Sequence, residues 1–274
     1  MRFDLLQSIS LNGDPLTAND DRAGVGDALA WVIDGATDLG EPGLVGTRGG
    51  AAWIAQEASA ALAAAGDAGL EAICKGLLAR VARRFEAVRT RAPLGDWELP
   101  CASFMAARAC EGRVDFAWAG DCTALVKRGG VVERVGPLAE GREEEVAHAA
   151  SLTAHGLGLK ERPAPILASL RSARERPGRR VLSVDLAGVA GLGAGTVPCG
   201  YGDELLLMTD GFAALIDQFA AIDADALMAA LHVEGLAGLG RRLRQIEAED
   251  ADCLRYPRFK TSDDASALWL RCAA

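Results

Sequence analysis

No two cysteines in this 274-residue chain are spaced CxxC, and its seven cysteines are an odd number. A disulfide framework and a zinc knuckle are both disfavoured, so the thiols are expected to be reduced and packed in the core. Histidine is scarce. His148, His155 and His232 are all there are, none in HExxH or another metal-ligand spacing, and they are expected on the surface or on helices. The chain has no GxSxG elbow for a serine hydrolase and no GxxxxGK[ST] phosphate loop. The stretch "GVAGLGAGT" does not match GxGxxG and reads as a loop. No window of about 18 uncharged apolar residues occurs, and "MRFDLLQSIS" lacks the long apolar core of a leader, so neither a membrane span nor secretion is expected. The expected location is cytoplasmic. Positive charge is also in deficit, 29 basic against 38 acidic residues for a net charge of −9. That disfavours non-specific nucleic-acid binding and suits a cation partner.

Half of the residues are hydrophobic, enough for a substantial core, and neither an internal repeat nor an interdomain linker is visible. A single domain spanning 1–274 is expected. Residues 50–65 and 69–91 read as amphipathic helices; in the second, Leu70, Ile73, Leu77, Val81, Phe85 and Val88 recur at helical spacing. Residues 101–135 hold short apolar runs broken by "CEG" and "RGG" and read as an antiparallel meander. From about 140 to 200 the pattern weakens, with helices possible in "GREEEVAHAA" and "PAPILASLRSARERPG" and a loop in "AGVAGLGAGTVPCGYG". This is where a mobile flap is expected. A strand resumes at 203–210, helices follow at 222–232 and 235–249, and 265–272 is a closing strand. Trp31, Trp53, Trp118 and Trp269 sit in apolar patterns and read as core, Trp97 as a loop anchor. The order argues for α+β layers rather than βαβ alternation.

The chemistry is carried by aspartates. "WVIDGA" (Asp34), "FAWAGDCTA" (Asp121) and "LLLMTDGF" (Asp210) each end an apolar run in an aspartate. "KTSDDASALWL" places Asp263 and Asp264 just before one, and "ANDDRAG" adds Asp20 and Asp21. Any one of them reads equally well as a turn former or helix cap. Strand ends of one sheet lie close together, so carboxylates there converge and repel unless a cation joins them. An all-oxygen donor set suits Mg²⁺ or Mn²⁺ rather than Zn²⁺ or Cu²⁺. A two-metal centre of that kind serves phosphate-ester hydrolysis.

In "NDD", "VIDGA", "AGDCTALV", "LLMTDGF" and "SDDAS", taken in order over nearly the whole chain, the sequence resembles the metal-dependent PP2C (PPM) serine/threonine phosphatases in a bacterial form. The resemblance implies an αββα sandwich of two antiparallel sheets flanked by helices, with two or three Mn²⁺ or Mg²⁺ ions at one end. It implies that Asp34 bridges two metals beside the Gly35 carbonyl and that Asp210 and Asp263 complete the first shell. Asp21 and Asp20 would act near the second metal, and Asp121 would serve a weakly held third. It also implies a phosphorylated protein as substrate; the acidic charge and the lack of long apolar runs already lead us to expect neither nucleic acid nor membrane as partner. The glycine after Asp34 is expected to let the backbone carbonyl approach the ion.

Two positions depart from that pattern. Leu16 stands where many members carry a phosphate-clamping arginine, and Ala36 where eukaryotic members have a histidine. Arg22 or Arg48, each beside a motif, is expected to supply the missing cation, since guanidinium is a bidentate phosphate donor. An acidic chain acting on phosphoproteins also needs a local basic patch near its site. Two other readings stay open: a non-catalytic domain of the same fold that binds metal and a phosphoprotein, and a phosphatase acting on a small metabolite.

Overall fold

The central strands of each sheet are buried on both faces, which is why they read as unbroken apolar runs, while the outer strands are partly exposed. The computed structural model describes residues 1–137, 142–159, 162–185 and 192–274. One sheet runs in the spatial order β1 (Arg2–Leu11), β11 (Ala265–Ala273), β10 (Glu204–Met208), β6 (Thr123–Arg128), β7 (Val131–Val135). The second runs β2 (Arg22–Val25), β3 (Leu29–Gly35), β4 (Cys101–Cys110), β5 (Arg113–Ala119), β9 (Gly193–Pro198), and β8 (Leu182–Ser183) pairs with the start of β4. All pairings are antiparallel.

Along β3, Ala30 and Val32 point between the sheets, where they meet Met105, Phe116, Val126, Leu205 and Leu268. Trp31 and Ile33 point outward against α1 (Gly50–Ala63) and α2 (Leu70–Val88). On the far side Leu206, Met208 and Trp269 meet α5 (Asp210–Asp217) and α6 (Ala224–Glu249). The expected sandwich of two antiparallel sheets flanked by helices is the observed architecture. The two helices expected at 222–232 and 235–249 form one assigned element whose backbone leaves helical geometry at Gly235. The remaining helices are α3 (Arg142–Ser151) and α4 (Ala164–Arg174), both in segments where helices were possible. All seven cysteines are free thiols, six of them buried and Cys110 half-buried. Trp97 stacks under Arg171, whose guanidinium carbon is 4.0 Å from the ring centre.

Three expectations are corrected. The 101–135 meander is two hairpins in different sheets: β4 and β5 lie in one, β6 and β7 in the other, and the chain crosses between them at 120–122. Turn signals mark pairing within a hairpin and say nothing of which sheet it joins. The loop read over 187–202 contains β9, paired with β5 from Trp118↔Gly193 to Arg113↔Pro198. Its glycines lie under the Trp118 ring, so a strand was hidden by the composition that fits it there. Residues 187–191 of that reading fall outside the described residues. The N-terminal stretch, examined only as a leader, forms β1 against β11.

Two devices fix the connections that reach the site. The first N–H groups of α1 have no partner from the residue before the helix, Gly49. Asp38 reaches over instead, accepting from Gly50 N at 2.8 Å and Ala51 N at 3.2 Å. After α6, Asp250 accepts the N–H groups of Leu254, Arg255 and Tyr256 and the Arg258 guanidinium, both side chains being 8 % exposed. Burial pushes the Asp250 carboxyl up, but these donors outweigh it and hold it below its usual value. The clamp therefore stabilises the fold fully above the ordinary carboxylate range and loses its contribution as pH falls through the folded value. Asp250→Ala leaves Arg258 buried without its partner and is expected to cost about 3 kcal/mol at pH 7 in urea unfolding. The difference from wild type should shrink as pH is lowered below about 4.

Candidate active site

Three strand ends deliver carboxylates to one rim of the sandwich. Asp34 closes β3 in one sheet, Asp210 opens α5 directly after β10 in the other, and Asp121 lies on the crossover between β5 and β6. One oxygen from each lies within 4.8 Å of the others. Behind them Asp21, 3 % exposed, accepts the Thr209 hydroxyl at 2.9 Å, and that hydroxyl in turn accepts Ser266 N at 2.9 Å. The other Asp21 oxygen is buried with no hydrogen-bond partner.

Asp263 and Asp264 precede β11 and divide two tasks. Asp263 lines the cavity and its Oδ1 accepts the Lys260 ammonium and Asp264 N. Asp264 accepts Gly13 N at 2.8 Å and Asp20 N at 2.6 Å, pinning the N-terminal loop to the start of β11. Asp20 pairs with Arg48 at 3.0 Å and does not line the cavity. The structure thus brings Asp34, Asp121 and Asp210 together, sets Asp263 beside them and Asp21 behind, and places Asp20 in the bracing of the loop.

Arg22 and Arg48 brace the same loop. Arg22 donates to the carbonyls of Asn19 and Asp21 at 2.9 and 2.6 Å and to Gln56 at 3.0 Å; Arg48 donates to the Asn19 carbonyl at 2.8 Å. Neither lines the cavity, so the phosphate contact expected of them is not what their geometry provides. Adjacency to a motif in sequence put them against the back of the acidic loop. The glycine after Asp34 also meets a packing demand. A Cβ on Gly35 would lie 2.7 Å from the Ala51 carbonyl oxygen of α1, and one on Gly211 would lie 2.0 Å from the Asp264 carbonyl oxygen. Both "DG" pairs permit close passage of neighbouring backbone.

Burial raises the Asp34 carboxyl well above its usual value, and Asp210, Asp21 and Asp263 push it further. Asp21 is raised for the same first reason, against the opposing Thr209 hydrogen bond. Burial weakens the hold of Lys260 on its proton, but Asp263, Asp34 and Asp210 outweigh it and raise its pKa above the ordinary lysine value. The set fits a divalent cation: its donors are oxygens, they repel one another as they stand, and a buried Asp21 oxygen awaits a partner.

The cluster forms the floor of a cavity of about 460 Å³. The wall is basic, with Arg162, Arg174, Arg179, Arg258 and Lys260. None of these was singled out from the sequence. The available signal was "RSARERPGRR", five arginines in ten residues of a net-acidic chain. Ala36 lines the same cavity, Leu16 is 85 % exposed, and no histidine contributes to the wall.

No protein-family model matches the chain, and no curated protein does. Solved structures do. The serine/threonine phosphatase PstP/Ppp of Mycobacterium tuberculosis superposes with a TM-score of 0.62 at 17 % identity over 100 % of both chains. The fold is that of the PP2C phosphatases. Stp1 of Staphylococcus aureus, a serine/threonine phosphatase, shares the PP2C fold at a TM-score of 0.56 and 16 % identity, covering 99 % of this chain and 96 % of its own. The catalytic domain of PstP in complex with two manganese ions matches at 0.55 and 15 % identity over 98 % and 97 % of the two chains. Within this PP2C fold the aspartate cluster occupies the rim where both sheets end.

Because the folded state holds a proton on Asp34 more tightly than the unfolded chain does, that site loses stability as pH rises from about 4 toward its folded value. Asp34→Asn is expected to raise the melting temperature of the metal-free protein at pH 7.5, by roughly 2–4 °C for each 1 kcal/mol of repulsion relieved. The same substitution should flatten the decline that begins as pH rises above about 4. Differential scanning calorimetry in EDTA measures both effects.

Proposed function

We propose that this chain is a metal-dependent phosphomonoester hydrolase whose substrates are proteins carrying phosphoserine or phosphothreonine. The observation that carries the reading is the Asp34–Asp121–Asp210 cluster at the floor of a cavity with a basic wall. Asp34 and Asp210 would hold Mn²⁺ or Mg²⁺ together with Asp263 and the Gly35 carbonyl. Asp21 would act on a second ion from behind, with Asp20 farther out, and Asp121 on a weakly held third. Bound there, such ions lower the pKa of water and offset negative charge on the phosphoryl oxygens. The fold supports the reading, as do the names of the similar structures, serine/threonine phosphatases among them.

The chain's own groups account for the rest. Thr209 and Ser266 fix Asp21, Asp264 fixes the loop bearing Asp20, and Lys260 offsets part of the charge on Asp263. The basic wall supplies the local patch that an acidic protein needs to receive a phosphate dianion. Free thiols accord with a reducing, cytoplasmic location, and no helix among the described residues is long and apolar enough to cross a membrane. The absence of arginine at Leu16 and of histidine at Ala36 favours a second reading, a phosphoprotein-binding domain without turnover. That second reading also binds metal, so the cluster serves both and turnover separates them; retention of the aspartates expected of the catalytic form supports catalysis.

Hydrolysis of p-nitrophenyl phosphate is expected with Mn²⁺ or Mg²⁺ and not with EDTA. Asp34→Asn and Asp210→Asn should each reduce it by about 10³-fold or more, the scale of several kcal/mol of lost charge stabilisation. Tight metal binding without turnover would favour the non-catalytic reading. Comparing phosphopeptides with small phosphate esters by kcat/KM separates the protein substrate from the metabolite.

A further inference from the structure

Half-buried arginines in this protein are generally paired. Arg134 makes two contacts to Asp217, and Arg91 makes two to Glu98 at 2.8 and 2.6 Å. Arg258 is clamped by Asp250, and Arg171 donates twice to the Leu39 carbonyl at 2.9 and 2.6 Å. Arg162 and Arg174 differ. Both line the cavity that holds Asp34, Asp121 and Asp210, and neither guanidinium makes a hydrogen bond or close ion pair among the described residues. Arg174 enters a hydrogen bond only through its carbonyl, which accepts from Arg179.

The two also oppose each other. Burial weakens the hold of Arg162 on its proton and the nearby charge of Arg174 adds to the effect, with only Asp263 acting the other way. A guanidinium nevertheless stays charged, so the arrangement holds two cations that make no hydrogen bond through their guanidinium groups among the described residues. Their placement is not an accident of a loose segment. They bracket α4, Arg162 just before Pro163 and Arg174 at its last residue, and Arg171 on the same helix is fastened to Leu39 and to the Trp97 ring. Ile166 seats the helix against Leu157 and Ala149. Five planar donors on each guanidinium match the oxygens of a tetrahedral dianion, and such an anion also removes the repulsion between them.

Resting on the phosphatase reading above, we infer that Arg162 and Arg174 are the phosphate-holding residues of this site, gripping a phosphomonoester over the aspartate cluster from the α4 side. They do from a distant part of the chain what Leu16 cannot do from the N-terminal loop.

The test uses the full chain loaded with Mn²⁺, and the variants Arg162→Gln, Arg174→Gln, the double glutamine variant and the double lysine variant. Arg83→Gln, on the exposed face of α2, is the control. Calorimetry measures the Kd of inorganic phosphate and of Mn²⁺; steady-state kinetics gives KM and kcat for p-nitrophenyl phosphate. Each single glutamine variant is expected to raise the phosphate Kd and the KM by about 10-fold, the scale of a hydrogen bond to a charged group. The double variant should raise them further while its Mn²⁺ Kd stays within about twofold, and the lysine variant should fall between it and wild type, charge being kept and the fork lost. Wild-type phosphate affinity and KM in the double variant overturn the inference. So does a Mn²⁺ affinity that falls in step with phosphate affinity, since the arginines would then act through the carboxylates. If wild type binds phosphate without turning over any ester and the double variant loses that binding, the inference holds and the phosphatase reading is what fails.

Discussion

Carboxylates that repel one another must be held together at one rim, and much of the local structure follows from that demand. Asp34 and Asp210 are placed by strand ends of opposing sheets, so neither can retreat without undoing a sheet edge. Asp21 is tied by the Thr209 hydroxyl, which receives Ser266 N and thereby links the loop before β2, the end of β10 and the start of β11. Asp264 spends both oxygens on backbone N–H groups of the N-terminal loop. These contacts and Lys260 offset part of a repulsion that burial magnifies.

Charge is distributed to match. The chain is acidic as a whole, yet the cavity wall is cationic where α4 and the segment after it face the acidic floor. Long-range repulsion of phosphorylated proteins is thus reversed within a few ångströms of the site, where screening by salt is weakest because the groups are half-buried. Asp250 contributes to this wall from outside it, since its contacts to Arg258 and three backbone N–H groups shape the stretch that carries Lys260 and Asp263 into place.

The fold class, the strands bearing Asp34 and Asp210 and the paired helices on each face were legible because apolar runs and helical spacing report burial directly. Asp34, Asp121 and Asp210 were legible because a charge at the end of an apolar run has few physical explanations. The division of residues 101–135 between two sheets was not legible, since Ala119 and Thr123 look alike whichever layer they join. β9 was concealed by glycines that serve the Trp118 ring, and β1 by attention to leader signals. Arg162 and Arg174 were missed for a different reason. Arg162 stands in no local pattern, and the arginine-rich "RSARERPGRR" around Arg174 does not reveal the cavity it faces, whose lining is drawn from segments as far apart as Asp34 and Asp263.

The crossover at 120–122 has a mechanical meaning. Asp34 rides on one sheet, Asp210 follows a strand of the other, and Asp121 sits on the connection between them. The distance between their oxygens is therefore a readout of how far one sheet has slid over its neighbour. The layer that sets that slide is the interior packing of Val32, Met105, Phe116, Leu205 and Leu268, none of which approaches a ligand position. The spacing of the three aspartates is consequently written in the hydrophobic layer between the sheets as much as in the aspartates themselves.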